Sequence, residues 1–149
     1  MNNDYKGTIT ISKQKLVEIE GKVLVDFLVQ VVEPEFNIAY LIFSDSVYAI
    51  NGAYNSEVLS INRAVKKDLR DMDSQLKRFE PYSVFINKKI VQMRSIGEEW
   101  NGHGFEISFA GIHDKSMIIQ SIYAGDRAND FDDCIKLGIG HYFYSSESV

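Results

Sequence analysis

Residues 56–79 read SEVLSINRAVKKDLRDMDSQLKRF, and the fold of this stretch decides the class of the molecule. Ile61, Val65, Leu69, Met72, Leu76 and Phe79 follow one another at intervals of 4, 4, 3, 4 and 3 residues. That spacing puts one apolar side chain per turn on a single face of an α-helix. Asn55 or Ser56 can accept a bond from a free backbone N–H at the start, and Pro81 halts the helix at its end. The reading predicts a long amphipathic helix over about 56–79. Arg63, Lys66, Lys67, Arg70 and Lys77 gather on its opposite side as a basic ridge. Asp68, Asp71 and Asp73 flank the ridge, so a solvated face accounts for it more simply than a phosphate contact does.

On either side of this stretch the patterning is that of strands. Residues 7–12 alternate threonine or serine with isoleucine. Over residues 22–32, Val23, Val25, Phe27, Val29 and Val31 repeat with period two. A helix over 13–32 competes, because Leu16, Ile19, Val23 and Phe27 also share a helical face, but β-branching and Gly21 weaken it. Residues 36–43 and 47–50 extend an antiparallel meander, punctuated by Ser44-Asp45-Ser46 and Asn51-Gly52. Beyond Pro81, residues 82–87 and 90–96 read as a hairpin, 105–110 and 117–124 as strands, 126–137 as a short helix and 141–144 as an edge strand. The sum is one α+β domain over 1–149, a mainly antiparallel sheet packed by the long helix and the short C-terminal one.

Composition narrows the function. A chain of 149 residues with 45 % hydrophobic and 25 % charged residues is that of an ordinary globular protein. No apolar run reaches the length of a membrane span, and the N-terminus lacks the basic start and apolar block of a signal peptide. A single cysteine allows no internal disulfide, which fits the cytoplasm. The net charge of -5 is unevenly spread. Residues 1–62 carry 4 basic and 8 acidic groups, 63–97 carry 9 and 4, and 98–149 carry 3 and 9. Like charge argues against non-specific nucleic-acid binding, whereas a basic partner suits the acidic C-terminal region.

That region also holds the side chains best suited to chemistry: His103, His113, His141, Cys134 and Trp100. Gly97, Gly102 and Gly104 surround Glu98, Glu99, Trp100 and His103 in what reads as a loop. It lacks the Gly-Lys-Ser/Thr ending of a phosphate loop. No His-x-x-x-His or Cys-x-x-Cys spacing points to a metal, so neither metal nor cofactor is expected. Asp130, Asp132 and Asp133 beside Cys134 would disfavour its thiolate, leaving it a small core residue. Asp126, Asp130, Asp132 and Asp133 suit the positive end of a helix, and suit a basic partner equally.

These observations favour a binding protein over an enzyme. The expected form is an acidic bacterial or phage inhibitor, such as an immunity protein that occludes the active site of a basic nuclease-like toxin. Its partner-binding residues would be Glu98, Glu99, Trp100, His103, Asp126, Asp130, Asp132 and Asp133, with Trp100, Tyr123 or Tyr142 as a desolvated anchor. The alternative is a binder of a nucleotide-like metabolite through the basic helix face (Arg63, Lys66, Lys67, Arg70) or Arg94, with an aromatic stack. A homo-oligomer is compatible with either.

Overall fold

The computed structural model describes residues 16–32, 35–52, 59–65, 76–97, 103–121, 135–140 and 142–144. Within them ten strands form one antiparallel sheet: β1 Asp26–Val32, β2 Glu35–Ile42, β3 Val47–Gly52, β4 Leu59–Ala64, β5 Leu76–Arg78, β6 Ile90–Ile96, β7 Gly104–Phe109, β8 Met117–Ser121, β9 Ile135–Ile139 and β10 Tyr142–Tyr144. The helical parts of these residues are a turn at 16–19 and a 3₁₀ helix, Glu80–Phe85. The architecture is therefore a curled, half-barrel β-sheet, and the α+β expectation is corrected.

The long helix over 56–79 does not form. Its first part is β4, which pairs residue for residue with β3 from Gly52↔Leu59 to Val47↔Ala64. Leu59 and Ile61 are buried, Asn62 and Arg63 exposed. Val65, on the proposed apolar stripe, is 61 % exposed, whereas Leu59, off the stripe, is fully buried. Leu76–Arg78 is β5, paired to β1, and residues 66–75 lie outside the described residues. Cross-strand pairing with β3 satisfies the backbone groups along one edge of 59–64 and seats two apolar side chains in the core, and this overrides a helical spacing that is favourable only locally.

The order of the sheet is β4-β3-β2-β9-β8-β7-β6, with β1 along the other edge of β2. Residues 21–24, which lead into β1, bond to residues 87–90, which lead into β6. The sheet thus curls until its ends meet. The chain reaches this junction from the helical turn at 16–19, which buries Leu16 and Ile19 and ends at Gly21. Gly21 has φ +93°, a conformation open to glycine. The strand favoured over 22–32 thus forms from Asp26, with Phe27 and Val29 inward, and among the described residues the competing helix is limited to one turn at 16–19.

The interior combines aliphatic side chains with nine aromatic rings, and the 3₁₀ helix and its N-cap supply three of those rings. Phe79, Tyr82 and Phe85 recur every third residue, one face of a helix with three residues per turn. The bonds Tyr82 N–H to Phe79 O and Ile86 N–H to Ser83 O confirm that period, and Pro81 sits at the helix start. The strand expected at 82–87 is accordingly corrected. Tyr82 contacts Phe27 and Phe79 edge-on, Phe85 stacks on Phe109, and Phe79 reaches Phe36 and Tyr144. Completely buried, the Tyr82 hydroxyl shares its proton between the Ile118 and Gly138 carbonyls, both at 2.8 Å, and accepts the Gly138 N–H at 2.9 Å. Ile118 and Gly138 are register partners of β8 and β9, so the hydroxyl ties the plug to the wall.

The expected C-terminal helix at 126–137 is also corrected. Ile135–Ile139 is β9, paired to β8 along its length, to β10, and to β2 at Phe36↔Ile135. The remainder of that helix, the strand at 7–12, Cys134 and His141 lie outside the described residues. The other strands fall close to where the sequence places them. Gly138 is a close-approach position: a Cβ there would meet Tyr142 O at 2.5 Å and the Phe143 ring at 2.7 Å.

Tyr82→Phe keeps the ring packing but orphans three buried backbone groups. It should cost about 2–3 kcal/mol, read as a lower urea midpoint at unchanged m-value.

Candidate functional site

The strand register sorts the connections into two ends of the half-barrel. Asn51 faces Ile38, Phe36 faces Ile135, Ser121 faces Ile135, Gly104 faces Gln120 and Ile96 faces Gly104. Connections 33–34, 53–58, 98–102 and 122–134 therefore leave from strand ends that lie side by side. Turns 43–46, 86–89 and 110–116 lie at the other end, where Val47 faces Ala64 and Ile90 faces Phe109. Glu98, Glu99, Trp100, Asp126, Asp130, Asp132 and Asp133 themselves are outside the described residues. Their roots are adjacent in space although far apart in sequence.

His103 stands at this end, but not as a surface residue. Its relative exposure is 0 %, so its side chain is enclosed by the fold. Its ring nitrogens are both engaged within the fold. Nδ1 accepts the Leu59 backbone N–H at 3.0 Å, and Nε2 lies 2.6 Å from Ser95 Oγ. Its own carbonyl accepts the Ser121 N–H at 2.9 Å, and its ring meets Phe105 edge-on. Gly104 permits this packing, since a Cβ there would stand 2.2 Å from Ile119 O.

The donor at Leu59 fixes the chemistry of the ring. A backbone N–H cannot reverse its role, so Nδ1 is an acceptor and the imidazole proton sits on Nε2. That proton points at Ser95 Oγ, which accepts it. The Ser95–His103 pair has the short contact of a nucleophile and its base, yet Nε2 in this tautomer has no lone pair with which to take the serine proton. Burial also opposes the charged form, holding the imidazole down at about 4 from an ordinary 6.5.

The remaining candidates do not converge on His103. His113 is exposed on the turn at the far end of β7, about 20 Å away by strand rise. It lines an open pocket of about 420 Å³ with Glu106, Ser108, Asp114, Lys115 and Ser116. No group of three or more metal-ligating side chains occurs among the described residues. Arg63 is an exposed strand residue opposite Tyr48, not part of a helical ridge. Lys66, Lys67 and Arg70 are outside the described residues. Arg94 is paired with Glu106, its cross-strand partner, and Ser116 donates to the same carboxylate. Tyr142, 65 % exposed, faces Ile139 at the turn end, away from the acidic connections.

What sequence reasoning missed is the bond between His103 and Leu59, 44 residues apart. No local signal carries it. No helix among the described residues is long and apolar enough to cross a membrane. No family model matches this chain, nor does any curated protein or solved structure.

His103 links stability to pH with a definite sign. Its folded-state pKa is below that of the unfolded chain, so the unfolded state binds the proton first as pH falls. Stability should be constant above about 6.5, drop by about 3 kcal/mol between 6.5 and 4, and flatten below. Urea titrations at several pH values check this against His103→Leu, whose curve should lack that contribution.

Proposed function

We propose that this chain is a non-catalytic binding protein of the cytoplasm that receives a basic protein at the end carrying connections 33–34, 53–58, 98–102 and 122–134. One observation supports the reading: the charge of the connections whose flanking strand ends lie side by side there. They contain eight carboxylates (Glu33, Glu57, Glu98, Glu99, Asp126, Asp130, Asp132, Asp133) against one cation, Arg127. The opposite end is balanced, with Lys22, Lys88, Lys89 and Lys115 beside Glu20, Asp45, Glu80 and Asp114. A polarised field of this kind orients an approaching basic surface and speeds its encounter. Trp100 and Tyr123 belong to the same connections and supply aromatic area for a desolvated anchor.

The most concrete version is an inhibitor, such as a bacterial or phage immunity protein that neutralises a basic nuclease-like toxin by occluding its active site. Inhibition follows when the carboxylates pair with the lysines and arginines that would otherwise hold phosphate. The interior favours this over enclosure of a small ligand, because the space inside the curl is occupied by Phe27, Phe79, Tyr82 and Phe85. The metabolite-binding alternative has lost its scaffold, since Arg63 lies on a strand and Arg94 is engaged by Glu106.

The test is capture of a partner from the native host, followed by titration of the purified pair at rising salt. The expected partner is basic, and its association should slow at least about tenfold from low to high ionic strength. Charge reversal at Glu98 and Glu99, or at Asp132 and Asp133, should slow association by a similar factor with the melting temperature unchanged. An acidic partner, or an affinity indifferent to both salt and charge reversal, overturns the reading.

A further inference from the structure

Among the described residues, His103 touches the roots of three of the four acidic connections. Its ring Nδ1 holds the N–H of Leu59, the first residue after 53–58. Its backbone carbonyl holds the N–H of Ser121, the last residue before 122–134. His103 itself directly follows 98–102, and its Nε2 meets Ser95 on β6, the strand that leads into that connection. The imidazole thus spans from β4 to β6 across the open end of the curl.

We propose that His103 is an acid-sensitive clamp that fixes the spacing of the strand ends from which these connections leave. The neutral ring is complementary to its site, taking a proton at Nδ1 and giving one at Nε2. Protonation places a second N–H on Nδ1, aimed at the Leu59 N–H, and two donors cannot bond each other. The bond breaks and the first residue of β4 is released from β6 and β7. The groups facing the ring are the Leu59 N–H from β4, the Ser95 hydroxyl from β6 and the Phe105 ring from β7, while β8 supplies the Ser121 N–H to the backbone. None of these carries an ionisable side chain, so among the described residues no carboxylate compensates the imidazolium. Burial accordingly delays protonation to about pH 4, and the clamp opens as a step in acid. A consequence that rests on the binding reading is that acid also weakens the hold on a basic partner.

The clamp is tested without any partner. In full-length protein labelled with ¹⁵N, long-range histidine spectra report the tautomer, and hydrogen exchange reports the protection factor of the Leu59 amide between pH 7 and 3.5. The expected result is the Nε2–H form at pH 7. Leu59 protection should then fall at least about tenfold more than that of Val29 in β1, which tracks global stability alone, as His103 titrates. His103→Asn retains a side-chain acceptor that does not titrate, so Leu59 should stay protected through the same range. An Nδ1–H tautomer at pH 7, or Leu59 protection unchanged through the titration, overturns the clamp, as does an Asn variant that loses protection in step with the wild type. An affinity for the basic partner that stays constant while Leu59 is released counts against the binding reading alone.

Discussion

A sheet that curls until its two ends meet encloses a concave space, and that space must be filled or the curl collapses. Here the filling is a short 3₁₀ helix, and its hold on the wall is the hydroxyl of Tyr82. The ring contributes apolar area against Phe27, Phe79 and Phe85. The oxygen answers backbone groups of Ile118 and Gly138 that have no access to water. Burial holds the phenol well above its ordinary pKa, so it remains a donor wherever the protein is folded. Position and satisfaction are coupled: the aromatic plug can sit in only one place if these three groups are to be bonded.

The rest of the molecule follows from that filled curl. The β1–β4 meander and the β6–β9 meander meet through the single register pair Phe36↔Ile135 on one side and through residues 21–24 against 87–90 on the other. Because neighbouring strands pair antiparallel, the connections between them fall at two opposite ends, while 65–75 joins Ala64 at one end to Leu76, which faces Gln30, toward the other. His103 lies at the end where 53–58, 98–102 and 122–134 leave the sheet, but inside the body, where a charged imidazole would be costly. Its bonds link β4, β6 and β8 at that end.

Several elements were legible from local pattern. β1 and β7 read correctly because a half-buried strand advertises itself by period-two alternation, and β2, β3, β6 and β8 because apolar runs are bounded by turn residues that act through local backbone preference. The long helix failed for an instructive reason. The stripe from Ile61 to Phe79 has a helical period, but it merges a strand ending at Ala64, a strand starting at Leu76 and the entrance to the 3₁₀ plug. Of its apolar residues, Ile61 and Phe79 are buried on different elements of the core, whereas Val65 is exposed. Phe79, Tyr82 and Phe85 carried a period of three that a strand reading overlooked.

By itself the sequence determined the antiparallel, strand-rich character of the protein and the charge carried by each segment. These depend on neighbouring residues and on sums, and neither requires knowledge of what is packed where. Tertiary structure alone decided that the strand ends flanking 53–58, 98–102 and 122–134 lie side by side, and that His103 is buried and bonded within the fold. Both results come from pairings across tens of residues, such as Leu59 with His103 and Phe36 with Ile135. The energy of those pairings exists only once the curl has closed, so no local stretch of the chain can encode them on its own.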